Sequence, residues 1–239
     1  MKKIAIFSLT SCSGCQMEIV NLGEKFLDIL KFVKIENFPL VKEIKNIKKY
    51  DIVFIEGCPL TKENIKELKE IRKKTKFLIA LGACACLGCV SKIKNYRDKN
   101  KIIKNVYQFI KKIDNLEIKP LKDYVKIDFE LPGCPINKNE FYWAVCQILN
   151  GKIPQISQRP VCYECQLEEN ECLLQKGLIC LGPLILGGCE AICLKSNLAC
   201  DGCRGLLKDS KMENYIKMLE KYKINKKDFE EKLEEFGLK

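Results

Sequence analysis

Short apolar runs alternate with segments of helical periodicity through the first 150 residues. Runs rich in β-forming residues predict strands over 4–9, 33–38, 52–55, 77–81 and 125–131. Apolar residues at helical spacing predict helices over 17–32, 62–74, 101–113 and 140–149, with Thr61 as an N-cap. Continuous apolar strands that alternate with helices are typical of a doubly wound parallel sheet in an α/β fold.

The pattern changes near residue 153. Pro154, Pro160 and several glycines accompany eight cysteines between residues 162 and 203, and no hydrophobic period holds for long. Such a segment buries too little apolar surface to order itself, so we expect bound groups to hold it together.

Residues 211–239 return to a charged helical pattern, in which Asn225 is placed to cap a last helix that ends at Gly237. We expect a solvated or partner-facing helix pair. The sequence therefore predicts three parts: a flavodoxin-like domain over 1–152, a cysteine-rich module over 153–209 and a charged helical tail over 210–239.

The chain has 239 residues, with sixteen cysteines and no histidine. Without histidine there is no imidazole to act as a general base, in a catalytic triad or as a metal ligand. A disulfide scaffold is disfavoured at this length, so we expect reduced or metal-bound thiolates in the cytoplasm.

The first twelve residues have the pattern of a short secretory leader, but cleavage there would remove the first predicted strand. We therefore expect no leader. The longest uncharged runs, 77–91 and 177–189, are too short to span a membrane and contain glycine, so we expect no membrane span.

The formal net charge is +11. Three oxidised iron-sulfur clusters with their thiolates would each add about −2, leaving about +5. The lysines are spaced along predicted helix faces, which is typical of solvation, so we expect no nucleic-acid partner.

Five cysteines follow predicted strands in the first domain: Cys12, Cys15, Cys58, Cys84 and Cys134. The carboxyl ends of parallel strands meet at one edge of a sheet, where ligands bind, so this edge is a predicted metal site. Thiolates that come from separated loops favour an iron-sulfur cluster over zinc, which usually uses two short knuckles.

Four of these five cysteines lie in segments that contain glycine or proline close to the cysteine (Gly14, Gly82, Gly133 and Pro135). Glycine allows the backbone to approach a cofactor closely. We call Cys12, Cys15, Cys84 and Cys134 the N-terminal set. Cys58, followed by Pro59, is the alternative ligand. We expect Cys86 and Cys89 to be neighbouring or spare thiols and Cys146 to pack in the core.

The other eight cysteines predict two four-ligand sites in a ferredoxin-like module. In sequence order they form a middle set (Cys162, Cys165, Cys172, Cys180) and a C-terminal set (Cys189, Cys193, Cys200, Cys203). Ferredoxin-type modules can lend a cysteine to the neighbouring cluster, so this partition stays open, as does zinc.

Four motifs resemble the small subunit of [NiFe] hydrogenases and the related 20 kDa cluster subunit of NADH:quinone oxidoreductase. They are Cys12-Ser13-Gly14-Cys15, Glu56-Gly57, Gly82-Ala83-Cys84-Ala85 and Pro132-Gly133-Cys134-Pro135. The later stretch resembles the delta subunit of cytoplasmic sulfhydrogenase and the small subunit of methanogen hydrogenases that do not reduce deazaflavin, in the runs 159–165, 172–177, 182–183 and 187–189. Cys58, Cys86 and Cys89 depart from the family pattern.

The resemblance implies that the N-terminal set binds a proximal [4Fe-4S] cluster, one of three such clusters in the chain. It also implies a non-catalytic electron-transfer subunit of an oxidoreductase, with the Ni-Fe site in a separate large subunit. A flavoprotein, ferredoxin or similar carrier is the expected second partner, and the lysine surplus suits an acidic one.

Two alternatives remain open: an iron-sulfur subunit of another redox complex related to NADH:quinone oxidoreductase, and a non-redox zinc scaffold. Glu18 and Glu56 are expected to lie close to the loops that carry the N-terminal set. They are candidates for proton movement or for accepting backbone hydrogen bonds, and we favour the structural role for Glu56.

Overall fold

The structure, a computed structural model, describes residues 1–43, 47–98, 101, 114 and 116–239. The chain divides into two compact units, Met1–Pro154 and Gln155–Lys239. A further division of the second unit at residue 209 stays a prediction.

The first unit is built on a five-stranded sheet. Its strands are β1 (Lys2–Ser8), β2 (Val33–Asn37), β3 (Tyr50–Glu56), β4 (Thr75–Leu81) and β5 (Phe129–Leu131). They lie in the order β2-β1-β3-β4-β5, and every neighbouring pair is parallel. This is a doubly wound α/β sheet whose strand order changes direction between β1 and β3, as the hydrophobic pattern predicts.

The helices of the first unit are α1 (Gly14–Val20), α2 (Glu24–Leu30), α3 (Lys62–Lys73), α4 (Gly82–Leu87) and α5 (Lys138–Leu149). Cys89–Tyr96 and Leu121–Asp123 form 3₁₀ helices. Thr61 caps α3 as predicted, because its hydroxyl accepts a hydrogen bond from Asn64 N at 3.1 Å.

Two predicted elements differ from the observed ones. The helix predicted over 17–32 is broken into α1 and α2 at Gly23, whose φ of 58° is left-handed. The strand predicted over 125–131 shortens to β5, because Val125 still bonds to the carbonyl of Leu121 in the preceding turn. The helix predicted over 101–113 lies outside the described residues apart from Lys101.

Apolar side chains bury the sheet on both faces. Val53 of β3 and Leu78 of β4 are fully buried, and the ring centroid of Phe54 lies 5.1 Å from that of Phe141 on α5. Because the strands are packed on both sides, the loops at their carboxyl ends start from fixed positions.

The second unit contains α6 (Val161–Leu167), α7 (Ile192–Lys195), α8 (Met212–Lys221) and α9 (Lys226–Glu235). Asn225 caps α9 as predicted, accepting from Lys227 N at 2.9 Å. The solvated tail that we expected is corrected here: Tyr215 of α8 and Phe229 of α9 are buried in the core of this unit with Leu181. One face of each helix is apolar, and it supplies the surface that the cysteine-rich segment lacks.

No helix in the described ranges combines the length and the apolar character needed to cross a membrane.

Candidate metal centres

The N-terminal set lies at the carboxyl ends of three strands. Cys12 and Cys15 follow β1, with Cys15 in the first turn of α1. Cys84 lies on α4 directly after β4, and Cys134 comes three residues after β5. Parallel strands thus bring residues from three separate parts of the sequence to one edge of the sheet, as predicted from their positions directly after the strands.

Two glycines let the backbone approach the sulfur atoms closely. A Cβ on Gly82 would lie 2.4 Å from Cys15 Sγ, and the φ of Gly82 is 83°. A Cβ on Gly14 would lie 3.3 Å from Cys12 Sγ and 3.9 Å from Pro135 Cβ. The sulfurs of Cys15 and Cys12 therefore occupy space that ordinary side chains at positions 82 and 14 would fill.

A backbone hydrogen bond joins the turns that carry Cys84 and Cys134. Ala83 N donates to Gly133 O at 2.8 Å. Burial raises the pKa of the Cys15 thiol, and the nearby Glu56, Cys84 and Cys134 raise it further. A Cβ on Gly82 would also lie 3.4 Å from Gly133 O, so the turns that carry Cys15, Cys84 and Cys134 come together around Gly82.

Cys89, expected to be a neighbouring or spare thiol, contacts two members of the N-terminal set. Its thiol hydrogen-bonds to Cys134 and Cys84, which raises its own pKa. The same hydrogen bond lowers the pKa of Cys134 to about 7. Cys89 has a left-handed φ of 52° and follows Gly88, whose φ is 86°. In the sequence, Gly88 indicates a turn before Cys89, but it does not indicate which thiols Cys89 contacts.

The remaining cysteines of the first unit occupy different environments. Cys58 is fully buried, and burial raises its pKa to about 11 although a hydrogen bond with Ser91 opposes the rise. Cys86 Sγ is buried and donates to Ala80 O at 3.5 Å. Cys146, expected in the core, is only half-buried and contacts Tyr142.

Glu56 is buried beside the N-terminal set and accepts two hydrogen bonds. Its carboxylate accepts from Cys15 N at 3.1 Å and from Gln16 Nε2 at 2.9 Å. Gln16 Oε1 is buried without a hydrogen-bond partner among the described residues. Glu18 accepts from Asn21 Nδ2 at 3.0 Å. Glu56 therefore fixes the start of α1, which presents Cys15.

The middle set lines one cavity in the second unit. All four of its cysteines border this cavity, together with Gly182, Pro183 and several apolar side chains. A Cβ on Gly182 would lie 3.2 Å from Cys162 Sγ and 3.5 Å from Cys180 Sγ. Burial raises the pKa of Cys162 to about 12, and the other three thiols of the set raise it too.

The cysteines of the C-terminal set are buried or half-buried, and Cys200 of this set contacts the middle set. Burial raises the pKa of Cys200, with further rises from Cys180, Cys203 and Cys189. Cys193 in turn raises the pKa of Cys189. The backbone amide of Cys200 donates to Cys180 Sγ, so the middle and C-terminal sets are adjacent.

The donor chemistry fits iron-sulfur clusters. All sixteen cysteines are free, so none is used in a disulfide. Within the residues that the structure describes, no three Cys, Asp or Glu side chains form a group that could hold one metal ion. A tetrahedral zinc site needs four sulfurs about 2.3 Å from one atom, whereas each cysteine around a four-iron cluster binds a different iron. Sets of four free thiols in a chain without histidine suit iron-sulfur clusters.

The comparisons with known proteins identify two related groups. A family model described as NADH ubiquinone oxidoreductase, 20 Kd subunit, matches residues 12–148. Sulfhydrogenase 2 subunit delta of Pyrococcus furiosus is 36% identical over 91% of this chain and 92% of its own length. The iron-sulfur subunit of the F420-non-reducing hydrogenase of Archaeoglobus profundus is 27% identical over 85% of this chain and 82% of its own length.

A solved structure shares the fold. One chain of an NAD+-reducing [NiFe]-hydrogenase, crystallised in the H2-reduced state, superposes with a TM-score of 0.60 at 26% identity. The match covers 65% of this chain and 95% of that one.

Proposed function

We propose that this chain, which belongs to the family of the NADH ubiquinone oxidoreductase 20 kDa subunit and to its hydrogenase small subunits, is an electron-transfer subunit. In this proposal it carries electrons through three [4Fe-4S] clusters. The clusters connect a Ni-Fe large subunit with a separate redox partner. The chain is part of an oxidoreductase complex, and in this proposal it holds no substrate-converting site of its own.

Each set of four cysteines is assigned one cluster: the N-terminal set the proximal one, the middle and C-terminal sets the other two. Bound there, such clusters take up and release single electrons. The protein contributes thiolate ligands, glycine positions that admit the clusters, and burial and hydrogen bonds that adjust the reduction potentials. Relatives named as a hydrogenase iron-sulfur subunit and a sulfhydrogenase subunit support this assignment.

The observation that carries the proposal is the convergence of the loops of Cys15, Cys84 and Cys134 at one edge of the sheet, around Gly82 and Gly133. A structural role for three such distant thiols would not require them to meet. Cys12 and Cys134 are exposed. We therefore place the large subunit against this edge, where it would cover a proximal cluster.

The second partner is a flavoprotein, ferredoxin or similar electron carrier, which we place against the second unit. The solved relative is a chain of an NAD+-reducing hydrogenase, and this supports a soluble electron acceptor for the complex proposed here. We propose a cytoplasmic complex with no nucleic-acid partner.

A second candidate function follows from the description of the family model. The same fold and N-terminal set suit an iron-sulfur subunit of another NADH:quinone-oxidoreductase-like complex. The matches over the second unit, which extend beyond residue 148, favour the hydrogenase branch, because the sulfhydrogenase relative covers 91% of the chain.

Anaerobic purification of the chain with its natural partners tests the proposal. We expect about twelve irons and twelve acid-labile sulfides per chain, four of each per cluster, and a co-purifying large subunit that contains nickel. Clusters with a nickel-free partner would favour the second candidate. A colourless preparation that contains zinc in place of iron would make the chain a zinc scaffold and refute both.

A further inference from the structure

Glu164 connects the two cysteine sets of the second unit. It lies on α6 between Cys162 and Cys165, both in the middle set, yet its carboxylate reaches the loop that carries Cys189 of the C-terminal set. Gly188 N donates to Glu164 Oε1, and Ala191 N donates to Oε2 at 3.3 Å. Cys189 Sγ lies 3.9 Å from Oε2. One side chain thus holds the residues on both sides of a proposed ligand.

The loop around Cys189 needs such support. Glu190 and Ala191 have left-handed φ values of 58° and 47°, which disfavour residues with a Cβ. A Cβ on Gly187 would lie 2.9 Å from Glu164 Oε1, so glycine at this position admits the carboxylate. The loop is therefore shaped to receive Glu164.

A buried cation contacts the same loop. Arg204 is 2% exposed, and its Nε donates to Gly187 O at 2.8 Å. Burial raises the pKa of Cys189, the Ala191 amide lowers it, and the charges of Glu164 and Arg204 act in opposite directions. Cys189 is therefore subject to both an acidic and a basic side chain of the same loop environment.

We propose that Glu164 is a positioning residue that fixes the Cys189 loop and lowers the reduction potential of the cluster bound by the C-terminal set. Reduction adds negative charge to a cluster, and a carboxylate beside one of its ligands opposes that addition. Replacing the carboxylate by a neutral amide removes this opposing charge while the charge of Arg204 remains, which favours the reduced cluster. The inference depends on the proposed function, because it requires a cluster in this set.

The test compares Glu164→Gln with Glu168→Gln in the purified complex. Glu168 lies at the end of the same helix, where it pairs with Lys195 at 3.2 Å on the surface, so the control removes one negative charge while the carboxylate contacts of Glu164 with the Cys189 loop stay in place. Redox titration followed by electron paramagnetic resonance gives the potential of each cluster. The signal lost in Cys203→Ala identifies the cluster of the C-terminal set.

We expect Glu164→Gln to raise the reduced-to-oxidised ratio of that cluster roughly tenfold at a fixed potential, about 59 mV for one electron. The other clusters and the Glu168→Gln protein should match the parent. Loss of iron from the C-terminal set in Glu164→Gln, with full iron in Glu168→Gln, would also support the positioning role.

Should Glu164→Gln prove insoluble, Glu164→Asp, which retains the charge but withdraws it from the loop, should raise the same potential by a smaller amount. Unchanged potentials and iron content in the Glu164 variants would overturn the inference while leaving the proposed function intact. A parent protein that lacks clusters would instead refute the proposed function before any variant is compared.

Discussion

The backbone amide of Cys200 donates a hydrogen bond to the sulfur of Cys180, with 3.4 Å between N and Sγ. Cys200 belongs to the C-terminal set and Cys180 to the middle set, so this hydrogen bond directly joins the two proposed cluster sites. Amide hydrogen bonds to a ligand sulfur stabilise the reduced cluster and raise its potential. The contact therefore provides a short connection between the two sites. It also raises the reduction potential of the cluster proposed for the middle set.

Tyr215 supports this connection from the C-terminal helices. Its hydroxyl donates to Cys180 O at 2.7 Å, and its ring centroid lies 5.1 Å from that of Phe229. Tyr215→Phe should lower the free energy of unfolding by about 1 kcal/mol, because it leaves a buried carbonyl without its donor. Tyr215→Ala should cost about 3–5 kcal/mol by opening a cavity.

Anaerobic denaturant titration of the full chain measures both Tyr215 variants. Tyr222→Phe is the control, since Tyr222 lies at the end of the same helix and is only half-buried. If Tyr215→Ala were as stable as the parent, the C-terminal helices would not be part of the core of the second unit.

Gly82 tests the close approach in the N-terminal set. A methyl group at this position would fall 2.4 Å from Cys15 Sγ, so Gly82→Ala should displace the thiol and lose about four irons per chain. Iron analysis after anaerobic purification measures the loss.

Gly23→Ala is the matched control for Gly82→Ala. Gly23 also has a positive φ, 58°, but no atom of the described residues lies within 4 Å of the position that a methyl group would take there. The Gly23→Ala protein should keep all iron and lose about 1 kcal/mol of stability from backbone strain alone. Equal iron loss in both variants would mean that strain, and not contact with Cys15, is responsible.

Cys58 tests the choice of ligands. Cys58→Ala should retain every iron, because its buried thiol hydrogen-bonds to Ser91 and the proposed assignment takes all four proximal ligands from the N-terminal set. The free energy of unfolding should fall by about 1 kcal/mol, as is typical of a small buried truncation. Loss of about four irons would make Cys58 a ligand of the proximal cluster.

Hydrophobic periodicity was sufficient to predict the parallel sheet, and with it the meeting of Cys15, Cys84 and Cys134 at one edge. It was insufficient for Cys89, because that contact depends on the left-handed backbone at residues 88 and 89. The burial of Tyr215 also escaped prediction: the pattern shows an apolar helix face but not its partner. The proposed role of Glu164 depends on its contacts with Gly188 and Ala191, which are distant in sequence and which no local spacing reveals.

The most direct test of electron flow is the reduction of the clusters by H2 in the complex that contains Cys134→Ala. With the parent and with the control Cys146→Ala, H2 should reduce all clusters. In Cys134→Ala, the clusters of the second unit should remain oxidised under H2 yet be reduced by dithionite, because the proximal connection is lost. Reduction of those clusters by H2 at the parent rate would contradict the account.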